Sequence, residues 1–130
     1  MKKIIVNGTF DIVHSGHLQL LTYARSLGSH LTVAIDADSR VRQLKGQGRP
    51  VNNQWERREL LLALRAVDAV EIFSTDIELR EIIKSASLMV KGGDYRGRDI
   101  IGSDLIDIVF FERINGYSTT EKIHDIINRR

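Results

Sequence analysis

Apolar residues recur along the chain in two alternating rhythms. Ile4-Ile5-Val6, Leu31-Thr32-Val33-Ala34-Ile35, Ala69-Val70-Glu71-Ile72-Phe73, Leu88-Met89-Val90 and Ile108-Val109-Phe110-Phe111 are short apolar runs. They read as buried strands, continuous in apolar character as strands covered on both faces are. Between them the spacing is helical. Leu20, Leu21, Ala24 and Leu27 mark a helix from Leu18 to Leu27, which Gly28 stops. Leu60, Leu61, Leu64 and Val67 mark a longer one from Asn53 to Ala66, with Asn52 or Asn53 as its cap. Ile77 to Ser85 forms another, capped by Thr75 or Asp76, and Thr119 to Asn128 forms a closing helix on Ile123, Ile126 and Ile127. Ser39 to Leu44 reads as a short helix and Ser103 to Ile106 as a helical turn. Lys45 to Pro50, with two glycines and the only proline, reads as a loop.

Strands alternating with helices predict an α/β fold: a Rossmann-like, doubly wound, five-stranded parallel sheet in a single domain. Ligands in such sheets bind beyond the carboxyl ends of the strands, where the winding reverses. The polar clusters fall at those ends. They are Asn7 to His17 after the first strand, Asp36 and Asp38 after the second, Lys91 to Tyr95 after the fourth, and Arg113 to Thr120 after the fifth. Four clusters at one sheet edge are a physical argument for a site.

Composition narrows the classes. The 130 residues are 42% hydrophobic and 28% charged, ordinary for one folded domain. Nineteen basic against 17 acidic residues give a net charge of only +2, and no basic or aromatic-basic stripe points to nucleic acid. With no cysteine, disulfides and thiolate metal sites are excluded. The first apolar run is too short for a signal peptide, and no stretch approaches a membrane span. A cytoplasmic protein with neither nucleic-acid nor membrane partner is the expectation. Asn7-Gly8-Thr9 matches a glycosylation sequon, which in that setting is chance.

His14-x-Gly16-His17 carries the sharpest chemistry. Two imidazoles three residues apart, at a helix start, can both donate an N–H to one phosphoryl group while a neighbour fixes the other ring nitrogen. Phosphoryl and nucleotidyl transfer need such positioned donors more than covalent help. As metal ligands the pair would be short of partners, since His30 and His124 are the only other histidines. A purely structural role suits one histidine better than two around a glycine.

Gly8-Thr9-Phe10-Asp11-x-x-His14-x-Gly16-His17 resembles the signature of the cytidylyltransferase-like nucleotidyltransferases, and the resemblance covers nearly the whole chain. Lys45-Gly46-x-x-Arg49-Pro50-Val51-Asn52, Arg57, Ala66-Val67-Asp68 and Lys91-Gly92-Gly93-Asp94-Tyr95 are similar to the heptose members, the nucleotidyltransferase domains of ADP-heptose synthases. Arg113-x-x-Gly116-x-Ser118-Thr119-Thr120 is more similar to the glycerol-3-phosphate cytidylyltransferases. The two patterns leave ATP and CTP both open.

The resemblance implies transfer of a nucleotidyl group from a nucleoside triphosphate to a phosphorylated sugar or polyol, with release of pyrophosphate. His14, His17 and Lys45 are implied as catalytic. Gly8, Thr9, Phe10, Lys91, Gly92, Asp94, Arg113, Tyr117, Ser118 and Thr119 join the histidines in binding nucleotide. Thr9 supplies a hydroxyl, Phe10 backbone donors, and Lys45 a charge on a glycine-flanked loop. Asp11, Asp38, Lys45 and Arg57 are expected around the acceptor, with Trp55 and Tyr117 bordering its pocket or simply packing. Mg2+ is the implied cofactor, held mostly by phosphate and water with Asp11 and Asp94 assisting. Ser118-Thr119-Thr120 would make a second phosphate-binding helix start, and a homodimer is implied by resemblance alone. A nucleotide-binding module without turnover is the alternative from another class. The presence of both histidines, Lys45 and the hydroxyl run counts against it.

Overall fold

The computed structural model describes residues 2–112. Five strands are joined by helices: β1 (Lys3–Gly8), α1 (Ser15–Ser26), β2 (His30–Asp36), α2 (Asp38–Lys45), α3 (Gln54–Leu62), β3 (Ala69–Phe73), α4 (Asp76–Lys84), β4 (Leu88–Gly92) and β5 (Ile108–Phe111). A 3-10 turn, Gly93–Tyr95, follows β4. All strand pairs are parallel and the order is β3-β2-β1-β4-β5. The chain therefore winds from β1 outward through β2 and β3, then returns to the other side of β1 for β4 and β5. The reversal lies between β1 and β4.

The two sheet faces bury different layers. Ile4 and Val6 pack with Leu21 and Ala24 of α1 and Leu61 of α3, whereas Ile5 and Ala34 pack with Leu79 and Ile83 of α4. Alternation along β1 sends successive side chains to opposite layers, which is why an unbroken apolar run was needed there. Gly28, just past the Leu27 cap of α1, is glycine for a steric reason. A Cβ at that position would stand 2.5 Å from the backbone oxygen of Lys2.

The five expected strands are all present, and most differences among the described residues are at element boundaries. The first helix starts three residues before Leu18, because His14 caps it. The Asn53–Ala66 expectation ran long: α3 stops at Leu62, and turns through Leu64 and Val67 carry the apolar spacing onward without helix. Asn53 and Thr75 are the caps of α3 and α4, each accepting from a backbone N–H three residues on. Lys45 belongs to the last turn of α2 rather than to a loop. Around Gly102, which has a positive φ of 89°, the expected helical turn is a pair of hydrogen-bonded turns. The closing helix lies outside the described residues.

Candidate active site

β1 ends at Gly8, and the chain turns through Thr9 to His14 into α1. Phe10 adopts a positive φ of 52°, a conformation disfavoured for a bulky side chain. Its buried ring lies 4.9 Å from that of His17, and any side chain on Gly8 would meet it at 3.2 Å.

The start of α1 is a capping box made by two histidines. His14 is the N-cap, and its Nδ1 accepts from the N–H of Gly16 at 3.1 Å. His17 reaches back, its Nδ1 accepting from the N–H of His14 at 3.2 Å. Ordinarily Ser or Thr and Glu fill these two places. A backbone N–H can only donate, so each ring accepts at Nδ1 and a neutral ring carries its proton on Nε2. The rings stack with centroids 3.9 Å apart. The neighbour expected to fix each ring is thus the helix's own backbone.

A cavity of about 370 Å³ opens beyond the ends of β1 and β4, within the usual range for small-molecule sites. Gly8, Thr9, Phe10 and His17 form one wall, Lys45 stands on a second, and Lys91, Gly92 and Asp94 form a third. Three separate stretches of sequence, all expected, meet there. His14 lies behind this wall, stacked on His17.

Lys91 is 8% exposed, with its Nζ 3.5 Å from the backbone oxygen of Asn7 and 4.5 Å from the centre of the Tyr95 ring. Burial strips its ammonium of water and brings its pKa down to about 8, against the opposing pull of Asp36 and Asp94. Lys45 is exposed as a residue, yet its ammonium also loses hydration, which lowers its pKa; the charge of Arg49 adds to this, while Asp36 and Asp11 oppose it. Gly92 makes room for Asp94, because a Cβ there would fall 2.7 Å from the Asp94 carboxylate.

Four expectations need correction. Arg57 cannot clamp a substrate phosphate, since it is fully buried. Its guanidinium donates to the backbone oxygens of Asn52, Thr9 and Asp36 at 2.8–3.0 Å and to the Asp38 carboxylate at 2.7 Å. Asp38 is correspondingly occupied as its partner and lies off the cavity wall. Asp11 is 1% exposed and accepts from the N–H groups of Val51 and Asn52 at 2.8 and 2.7 Å and from Arg49 Nε at 3.2 Å. It pins the loop after α2 and has no geometry for a metal or an acceptor. The Thr9 hydroxyl donates to Asp36 at 3.1 Å, so it is committed within the protein. Arg113, Tyr117, Ser118 and Thr119 lie outside the described residues. Trp55 is exposed and off the cavity wall.

Asp36, placed in a strand-end cluster from the sequence but given no role of its own, accepts from both Thr9 and Arg40 and so joins the first turn to α2. Its four-residue spacing to Arg40 was the available signal. Asn7 and Tyr95, which the strand-end clusters include without an individual role, and Phe111, which no cluster includes, also line the cavity. Among the described residues, no group of three His, Cys, Asp or Glu side chains could hold a metal ion.

The profile of the Cytidylyltransferase-like family matches residues 5–124. The chain belongs to the cytidylyltransferase-like family. Among its relatives in that family is the bifunctional protein HldE of Aliarcobacter butzleri, 46% identical over 129 residues, which cover 96% of this chain and 27% of that protein. The HldE protein of Nitratiruptor is 43% identical, with 90% of this chain and 26% of that protein covered. The chain thus spans about a quarter of the length of these relatives. The cytidylyltransferase-like fold is also shared with a lipopolysaccharide core biosynthesis protein from Thermoplasma volcanium, at TM-score 0.74 and 23% identity, over 88% of this chain and 99% of the other. Thermotoga maritima TmcAL, solved with alpha-thio ATP, superposes at TM-score 0.68 and 15% identity, over 99% of this chain and 51% of that one.

Proposed function

We propose that this chain transfers a nucleoside monophosphate from a nucleoside triphosphate to a phosphorylated small molecule, with adenylyl transfer to a heptose-like sugar 1-phosphate as the leading reaction. The observation that carries this is the histidine capping box at the edge of a cavity that also bears Lys45 and Lys91. An oxygen of the acceptor phosphate attacks the α-phosphorus. A new P–O bond forms, the bond to the β-phosphate bridge breaks, and pyrophosphate leaves with the electron pair. Through Nε2–H, His17 donates to an α-phosphate oxygen as charge builds on it, and His14 holds His17 in place by stacking and shares the charge. Lys91 and the turn from Gly8 to Phe10 receive the nucleotide phosphates, and Lys45 faces the acceptor.

A magnesium ion would be held mainly by the phosphates of the nucleotide and by water, and would supply charge neutralisation for the pyrophosphate leaving group. The described residues suit an ion carried by phosphate and water, with Asp94 as the one carboxylate on the cavity wall. Cytidylyl transfer to glycerol 3-phosphate or a similar polyol phosphate is the second reading, favoured by Arg113-x-x-Gly116-x-Ser118-Thr119-Thr120.

Pyrophosphate release, measured with magnesium, each nucleoside triphosphate and a panel of sugar and polyol phosphates, tests both. The expected result is turnover with ATP and a sugar 1-phosphate. Turnover with CTP and glycerol 3-phosphate alone would favour the second reading. Nucleotide binding without pyrophosphate from any pair would leave a binding module.

A further inference from the structure

We infer, on the reading above, that Tyr95 is a positioning residue that works through Lys91: its ring seats the lysine ammonium at the cavity wall where the nucleotide phosphates are received. Lys91 is the buried cation of that wall, 8% exposed, and its ammonium has three N–H donors to place. The backbone offers it one acceptor, the oxygen of Asn7, at 3.5 Å, the far limit of a hydrogen bond. Asp36 and Asp94 favour its charge from farther off, and Asp36 is paired with Arg40. A buried ammonium so thinly supplied sheds its proton unless something else favours the charge. What lies against it is the face of an aromatic ring. The centre of the Tyr95 ring is 4.5 Å from Nζ, well inside cation–π range, and that attraction is strongest where water is excluded.

The turn that carries the ring is anchored from several sides. Tyr95 ends the 3-10 turn after β4, so the chain doubles back and the ring lies over the lysine four residues earlier. The N–H of Arg96 donates to the oxygen of Gly93, and that of Arg98 to the oxygen of Tyr95, both at 3.1 Å. The Arg96 guanidinium pairs with Glu112 and lies 5.4 Å from the centre of the Phe110 ring, which ties the turn to the end of β5. Gly93 admits that tie, because a Cβ there would stand 2.6 Å from the Glu112 carboxylate. The guanidinium of Arg98 lies 5.3 Å from the centre of the Tyr95 ring itself. A side chain 38% exposed would ordinarily hop between rotamers. This one is fixed by neighbours, Arg96, Arg98 and Glu112, that do not line the cavity.

Tyr95 also lines the cavity, so a ring that simply stacks on a ligand is the rival role. The two roles differ in what happens without the lysine. A stacking platform keeps its effect on binding when Lys91 is gone, whereas a positioning residue loses it.

Two measurements on the full chain separate them. In the first, acetylation of the Lys91 amine is followed across pH by mass spectrometry of its peptide, with no nucleotide present. Only the neutral amine reacts, so the midpoint reports how firmly the charge is held. We expect it near pH 8 in wild type and in Y95F, which keeps the ring, and about one unit lower in Y95L, which excludes water but offers no π face. In the second, calorimetry measures binding of a nucleoside triphosphate analogue bearing a methylene α,β-bridge, at the wild-type midpoint. Y95L should bind about fivefold more weakly than wild type, and Y95F within about twofold. On a Lys91→Met background the change of Tyr95 to leucine should matter by less than about twofold. An unmoved midpoint in Y95L would overturn the assignment. So would a fivefold loss that persists on the Lys91→Met background, which would make Tyr95 a stacking platform. Tyr95 is partly exposed, so neither variant opens the core. The acetylation midpoint needs neither nucleotide nor acceptor. A chain that shows the shift yet releases no pyrophosphate with any substrate pair refutes nucleotidyl transfer and leaves the role of the ring standing.

Discussion

The backbone that starts α1 also sets which nitrogen of His14 and of His17 carries the proton. Gly16 and His14 donate to Nδ1 of His14 and His17, so the tautomer is fixed by helix geometry rather than by a carboxylate partner. His17→Ala should lower turnover by about a hundredfold or more, the size of effect seen for single donors to a developing oxyanion. Steady-state kinetics on the folded variant checks this, and unchanged turnover would remove His17 from the chemistry. Lys91 gives a pH signature. Its pKa of about 8 means that nucleotide phosphates meet a cation below that pH and an increasingly neutral amine above it. Nucleotide Kd should be flat up to about pH 8 and then weaken by up to about tenfold per pH unit, a slope that Lys91→Arg should abolish. Stability moves the other way. The folded value lies below the ordinary 10.5, so burying the charged form costs stability at neutral pH. That cost disappears as pH rises from about 8 toward 10.5, a gain of roughly 3 kcal/mol at most from this group. That His17, Lys45 and Lys91 would share one cavity was legible from motif and strand-end position. The engagement of Asp11 and of the Thr9 hydroxyl was not, because it depends on Asn52, Val51 and Asp36, partners that only folding brings near.

At the scale of elements, Arg57 shows how a helix face decides a role. It lies four residues before the buried Leu61, on the stripe of α3 that packs inward, whereas its neighbour Arg58 is exposed. Read by charge alone it looks like a phosphate clamp; read by periodicity it belongs inside. There it ties together the first turn, the end of β2, the start of α2 and the loop before α3. Replacing it strands three backbone oxygens and a carboxylate. Arg57→Met should cost about 3–5 kcal/mol, and Arg58→Met should stay within about 0.5 kcal/mol, as urea denaturation can measure. Similar losses for the two would contradict the burial assigned to Arg57. Strand existence was readable because five apolar runs stood apart, but helix ends were not. His14 is an unusual cap, and the apolar spacing after Leu62 continues through turns without helical hydrogen bonds.

For the molecule as a whole, the α/β alternation was enough to predict a parallel sheet with its site at the strand ends, and the family match agrees. Assembly is a separate matter. Leu44, Val51, Trp55 and Leu60 are large apolar side chains left exposed, all within α2, α3 and the loop between them. If the chain pairs as the resemblance implies, sedimentation should give twice the 14.8 kDa chain mass, and charged substitutions at Trp55 and Val51 should return it to that mass. A single-chain mass for the unaltered protein would set the dimer aside.

The strand order also imposes a timetable. β1 emerges first during synthesis, and β2 and β3 can cover one of its sides early. Its other side pairs with β4, so that Lys91 reaches back 84 residues to Asn7. Until most of the chain exists, the central strand is therefore an edge strand, with an unpaired row of amides and carbonyls along Ile4 and Ile5. The pairing of β1 with β4 closes that hazard and brings Lys91, Gly92 and Asp94 to the cavity, which Phe111 of β5 then completes. A ligand of the cavity, whose walls come from both halves, has nothing to hold before then, so its binding can stabilise only the finished sheet.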